Sequence, residues 1–121
     1  MPLNEPALDD SSWPAHALRN PDKVARLLRL FSSPRKRFGL TPDEVLIFLA
    51  IGFLCTKASN GVIQITAVSL VSVSALLGIP KETIRRKTAR LAQRHYVSCS
   101  SKGVLIKEVK LWCEMLERVL A

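Results

Sequence analysis

Apolar residues at Val24, Leu27, Leu28 and Phe31 recur at i, i+3, i+4 and i+7, the spacing of one helical face. Asn20-Pro21-Asp22 in front of them supplies an N-cap, a proline for the first helical position and an acid for the first turn, which predicts a helix over 21–32. Residues 32–40 contain Pro34, Arg35, Lys36, Arg37 and Gly39 and read as a basic connector. Thr41-Pro42-Asp43-Glu44 then has the Thr-x-x-Glu spacing of a capping box and opens a second helix running to about Lys57. That helix is apolar nearly all round from Val45 to Cys55, so it is expected to be the buried centre of the domain. Residues 58–61 read as a turn or C-cap, and 62–65 as a short strand.

The second half changes rhythm. A short helix over 70–77 is broken by Gly78-Ile79-Pro80 and followed by a helix from Lys81 to about His95; helix, tight glycine-containing turn, helix is the helix-turn-helix pattern. Residues 96–100 and 104–107 read as two strands joined by Ser101-Lys102-Gly103, a hairpin placed as a wing. The chain closes with a helix over 108–120 whose apolar residues Val109, Trp112, Leu116 and Val119 are spaced 3, 4 and 3, a seam suited to pairing with another helix. Residues 1–20 lack periodicity and read as a flexible arm, with Trp13 as its one anchor. The expected fold is mainly α with a small β-hairpin wing (α+β): a winged helix-turn-helix with extra N- and C-terminal helices, forming a single domain over 21–121.

Composition narrows the partner. The 121 residues, 48% hydrophobic, are enough for one core without disulfides or a structural metal. Cys55, Cys99 and Cys113 show no Cys-x-x-Cys spacing and read as reduced thiols of a cytoplasmic protein, Cys55 and Cys113 in the core and Cys99 at the surface. The N-terminus has acids and prolines where an export signal needs positive charge and an apolar run. Residues 45–56 are too few to span a bilayer, and 61–79 carry Gln64, Thr66, Ser69, Ser72 and Ser74, so no membrane association is expected. The net charge is +8, and from Lys81 to Lys107 eight Lys or Arg face a single acid, Glu82. A cationic surface of that density suits a phosphate backbone.

On a helical wheel Ile84, Thr88 and Leu91 share the docking face of the 81–95 helix, while Glu82, Arg85, Arg86, Ala89 and Gln93 lie outward. Arg presents a planar fork to the O6 and N7 of guanine, and Glu accepts from the N4 amine of cytosine. Glu82 therefore has two readings, a base contact or an ion pair with Arg85 or Arg86. The stretch from Leu77 through Gly78-Ile79-Pro80-Lys81-Glu82-Thr83-Ile84-Arg85 to Arg86 resembles the turn and recognition helix of winged helix-turn-helix bacterial transcriptional regulators, in particular the cyclic-AMP receptor type. The resemblance covers residues 66–107. It implies that Lys81, Glu82 and Arg86 face bases and that Thr83 helps hold the phosphate backbone. The sequence departs from the family in lacking a preceding effector-binding barrel, and in placing His95 where many relatives have glycine.

The expectation is thus a regulator of transcription that binds double-stranded DNA. Lys81, Glu82, Arg85 and Arg86 read the major groove, Thr83, Arg90 and Lys102 grip phosphates, and Gln93 lies on the same outward face. Val109, Trp112, Leu116 and Val119 are expected at a homodimer interface, which would set two reading helices on successive turns of the groove. His16 and His95 stand far apart, with no nucleophile-base pair, metal-ligand cluster or glycine-rich phosphate loop, so no catalysis, metal, cofactor or small-molecule ligand is expected. The alternative is a protein-interaction module that keeps the fold and binds DNA only non-specifically. RNA binding is disfavoured because stacking aromatics are scarce, Tyr96 being the only tyrosine.

Overall fold

The computed structural model describes residues 19–32 and 38–120. The expected arm, apart from Arg19 and Asn20, and the triplet Arg35-Lys36-Arg37 lie outside the described residues. The elements run α1 (Pro21–Ser32), α2 (Pro42–Cys55), β1 (Thr56–Ser59), β2 (Val62–Ile65), α3 (Leu70–Leu77), α4 (Lys81–Gln93), β3 (Val97–Ser100), β4 (Gly103–Ile106) and α5 (Val109–Leu120). Among the described residues, five helices and two antiparallel hairpins give a mixed α and β composition compatible with an α+β chain.

The core forms around α2, as its long apolar run dictates. Val45, Ile47, Phe48, Ile51 and Cys55 are sealed from solvent and pack with Leu40, Val73, Ile84, Leu91, Val97, Val104, Ile106 and Met115 from every other layer. The capping box is present: Glu44 N donates to the Thr41 hydroxyl, and Thr41 N donates to Glu44 Oε1 at 2.8 Å. One glycine interrupts the run for a steric reason. A Cβ on Gly52 would lie 2.2 Å from Nε1 of Trp112, whose indole N–H donates to the Leu49 carbonyl at 3.1 Å. The indole thus lies flat on the α2 backbone where only glycine leaves room.

Three expectations need correction. The central helix ends at Cys55, not at about Lys57, and residues 56–59 form a strand rather than a helix end. Asn60 and Gly61, at φ 51° and 76°, make the two-residue turn into β2 that an Asn-Gly pair favours. On α1 the residue that reaches the core is Leu30, whereas Val24, Leu27 and Leu28 of the expected face stay exposed, because the helix packs through its last turn, with Phe31, against α2 and α5. Cys113, expected in the core, is exposed on α5.

Val109, Trp112, Leu116 and Val119 are all half-buried within the single chain. Val109, Trp112 and Val119 pack against its own core. The 3, 4, 3 seam of α5 is therefore a packing face toward α1 and α2, and it is largely occupied before any second chain arrives.

Among the described residues no helix is long and apolar enough to cross a membrane.

Candidate nucleic-acid interface

The turn between α3 and α4 is fixed by local bonds. Ser69 caps α3 through its hydroxyl, which accepts from Ser72 N at 3.1 Å. Gly78 ends the helix in the left-handed region at φ 68°, donating to Ser74 O, and the Ser74 hydroxyl donates across the turn to Ile79 O at 2.5 Å. The Ser-rich composition of this short helix, unusual for an apolar segment, thus serves its two ends. Pro80 precedes α4 and supplies no side-chain cap, so the first N–H groups of α4 are left to an outside acceptor.

Along α4, Ile84, Thr88 and Leu91 are buried, and Lys81, Glu82, Arg85, Arg86, Ala89, Arg90 and Gln93 are exposed, which is the division the wheel gives. Thr83 is half-buried in the first turn. Lys102 is exposed at the tip of the β3–β4 hairpin.

The cations on this surface are not equivalent. Arg85 closes on Glu82 through Nη2 at 2.5 Å and Nε at 3.0 Å, and both side chains remain largely in solvent. The hydrogen bond from Arg85 holds the Glu82 carboxyl below its ordinary range, and Glu82 in turn raises the guanidinium. Lys87 Nζ sits 3.0 Å from Asp43 Oδ2 and Arg90 Nε 3.6 Å from Glu44 Oε2, so two cations of α4 turn back to the N-terminus of α2. Partial burial pushes the Asp43 carboxyl up, but the Thr41 hydroxyl and Lys87 outweigh it and keep it below the usual value. Glu44 is 1% exposed, and Arg90, its own side chain 53% exposed, supplies the counter-charge to Oε2 without a hydrogen bond between them. Arg94 donates to the Gly39 carbonyl. That leaves Lys81, Arg86 and Lys102 on this face with no ion pair among the described residues.

The exit from α4 is clamped to the segment before α2. The Tyr96 hydroxyl donates to Phe38 O at 2.7 Å while its ring tilts against Phe48, centroids 5.7 Å apart. His95 takes φ 66°, a left-handed conformation that explains why glycine is the ordinary residue at such a position. The hairpin that follows pairs Val97↔Ile106 through Ser100↔Gly103. Its β4 also bonds to Val68, just ahead of α3: Val68 N to Val104 O is 2.9 Å and the reverse 2.7 Å. Gly103 permits that approach, since a Cβ there would meet Val68 O at 2.2 Å.

Sequence reasoning missed the Asp43–Lys87 and Glu44–Arg90 contacts, because partners more than forty positions apart leave no local signal. It also missed the Val68 bridge, where a single residue pairs. Among the described residues no three of His, Cys, Asp and Glu gather as a metal ion would need. The sequence matches no family model, and comparison with curated proteins and with solved structures likewise finds no match.

Proposed function

We propose that this chain is a winged helix-turn-helix protein that binds double-stranded DNA in a sequence-specific manner and regulates transcription, without catalysis. The observation that carries the reading is the placing of α4: its apolar side is packed on α2, its opposite side faces solvent with Lys81 and Arg86 outside any ion pair among the described residues, and a hairpin with Lys102 at the tip is hydrogen-bonded to the segment leading into α3. In this reading α4 lies in the major groove and the β3–β4 hairpin is the wing. Lys81 and Arg86 read base edges, the uncapped N-terminus of α4 and Lys102 take phosphates, and Glu82 trades Arg85 for a cytosine amine. Arg90 holds the helix in place through Glu44 rather than gripping phosphate.

Selection from a random duplex library at near-physiological salt tests this, with Arg86→Ala as the comparison. The expected result is an enriched motif that relaxes in the variant, while Lys102→Ala weakens all sequences alike. A second reading, the protein-interaction module, draws on the exposed apolar residues of α1 and of β2. It predicts no enrichment and a DNA affinity that vanishes as salt rises.

A further inference from the structure

The β1–β2 hairpin makes no use of the cationic surface. Outside its own pairing it meets chiefly the end of α2, and every residue of β2 is exposed, with Val62 at 59%, Ile63 at 68% and Ile65 at 41%. The register pairs Thr56↔Ile65, Lys57↔Gln64, Ala58↔Ile63 and Ser59↔Val62, and Thr66 N donates to Cys55 O at 2.9 Å. Hydrogen-bonded and non-bonded pairs alternate along an antiparallel ladder, so Gln64 and Val62 bond inward, whereas the N–H and C=O groups of Ile63 and Ile65 point to the outer edge. Those groups have no backbone partner among the described residues. The opposite edge is not equivalent, because the Thr56 N–H is already taken by Gly52 O. Exposed edges are normally blunted by charge, proline or a bulge, and residues 62–65 have none of these.

We propose that the β2 edge is the site where a second copy of this chain docks, its own β2 adding antiparallel with Gln64 opposite Gln64 on a two-fold axis. The edge is self-complementary about that point: Ile63 of each copy exchanges both backbone bonds with Ile65 of the other, joining the hairpins into one four-stranded sheet. Its chemistry favours this occupant. Lys57 is the hairpin's only charge, which offers little to a polyanion or an acidic protein. The strand pairing covers less than the roughly 1,200 Å² at which standard interfaces begin, so the dimer is weak, with a dissociation constant on the order of 0.1 mM. Two chains of net charge +8 repel, so association tightens as salt rises, opposite to phosphate binding.

Sedimentation equilibrium of the full chain, without DNA, decides it independently of the DNA reading. Expected is a mass that climbs from one chain toward two as concentration passes about 0.1 mM, at lower concentration in higher salt. Ile63→Pro removes an outward N–H without touching the internal ladder, and Ile65→Lys puts a charge on the same edge. Each should raise the dissociation constant at least about tenfold, by the ~1.4 kcal/mol or more that this factor represents. The denaturation midpoint of Ile65→Lys should match the parent, so that variant decides the matter even where the proline disturbs the hairpin. A single-chain mass throughout overturns the proposal, and so does a dimer that both variants leave intact and Leu28→Lys on α1 dissolves.

Discussion

On the proposed reading, the salt dependence of binding to DNA would follow from the ion pairs rather than from the charge count. Log K falls by about 0.9 per log unit of salt for each phosphate neutralised. If all eight cations from Lys81 to Lys107 acted, the slope would be about −7, and raising salt from about 50 to about 200 mM would cost more than about 10⁴ in affinity. The structure withdraws most of them. Lys87 is held by Asp43, Arg90 by Glu44 and Arg94 by the Gly39 carbonyl, while Lys107 follows β4 at the end of the hairpin away from its tip. Lys81, Arg86 and Lys102 remain, for a slope of about −2.7 and a loss of about 40-fold over that salt range. Arg85, exchanging Glu82 for phosphate, extends this to about −3.6 and roughly 150-fold. Arg90 does not join them, because leaving would strand a carboxylate that is 1% exposed. Anisotropy titrations on a duplex long enough for one chain measure the slope directly. Glu44→Gln frees Arg90 and should steepen it by about 0.9, and Lys102→Ala should flatten it by the same amount. A parent slope near −7, or a Glu44→Gln slope unchanged, would refute the assignment of free and bound cations.

Gly52→Ala gains about 1 kcal/mol of helix propensity but drives a methyl into the Trp112 indole and breaks its bond to Leu49 O. A net loss near 2 kcal/mol in urea denaturation is expected, substantially recovered when Trp112→Leu is added. For Asp43, whose carboxyl titrates below its unfolded value of 3.8 when folded, the stabilisation is complete above that pH and is lost as pH falls through the folded value. The stability difference between the parent and Asp43→Asn should therefore be constant near neutrality and shrink below about pH 4, in denaturation curves taken across that range. His95→Gly relieves the left-handed backbone and should raise stability by about 0.5–1 kcal/mol, whereas His95→Ala should not; equal midpoints for the two would remove strain as the explanation.

Much of this architecture is written in local pattern. The Thr-x-x-Glu box fixed the start of α2, Gly78 marked the turn, and the wheel of α4 separated Ile84, Thr88 and Leu91 from the charged side. Local pattern is also where the β1 strand was legible and overlooked: Asn60-Gly61 between short runs is a stronger hairpin signal than a helix C-cap. Periodicity misled on α1, because it identifies an apolar face without saying what covers it, and on α5 it gave the face but not the part of its own chain that packs there. Trp112 covers Gly52 of its own chain, and Leu28 stays 63% exposed. The sorting of the cations had no sequence signature, since it depends on which acids the fold brings beneath α4.

The two hairpins, alike in strand length, differ in how they are tied to the rest of the molecule. β4 is bonded on both sides, to β3 and to Val68, and buries Val104 and Ile106, so its amides should exchange only when the whole domain opens. β2 is bonded on one side and has no buried residue, so it can open on its own while the core stays closed. Hydrogen exchange should accordingly divide the chain into a slow unit containing the cationic surface and a fast unit at residues 56–65. Tags and insertions at the Asn60-Gly61 turn should then be tolerated with little effect on α4, whereas the same change at Lys102-Gly103 should reach α4 through β3, which packs against it.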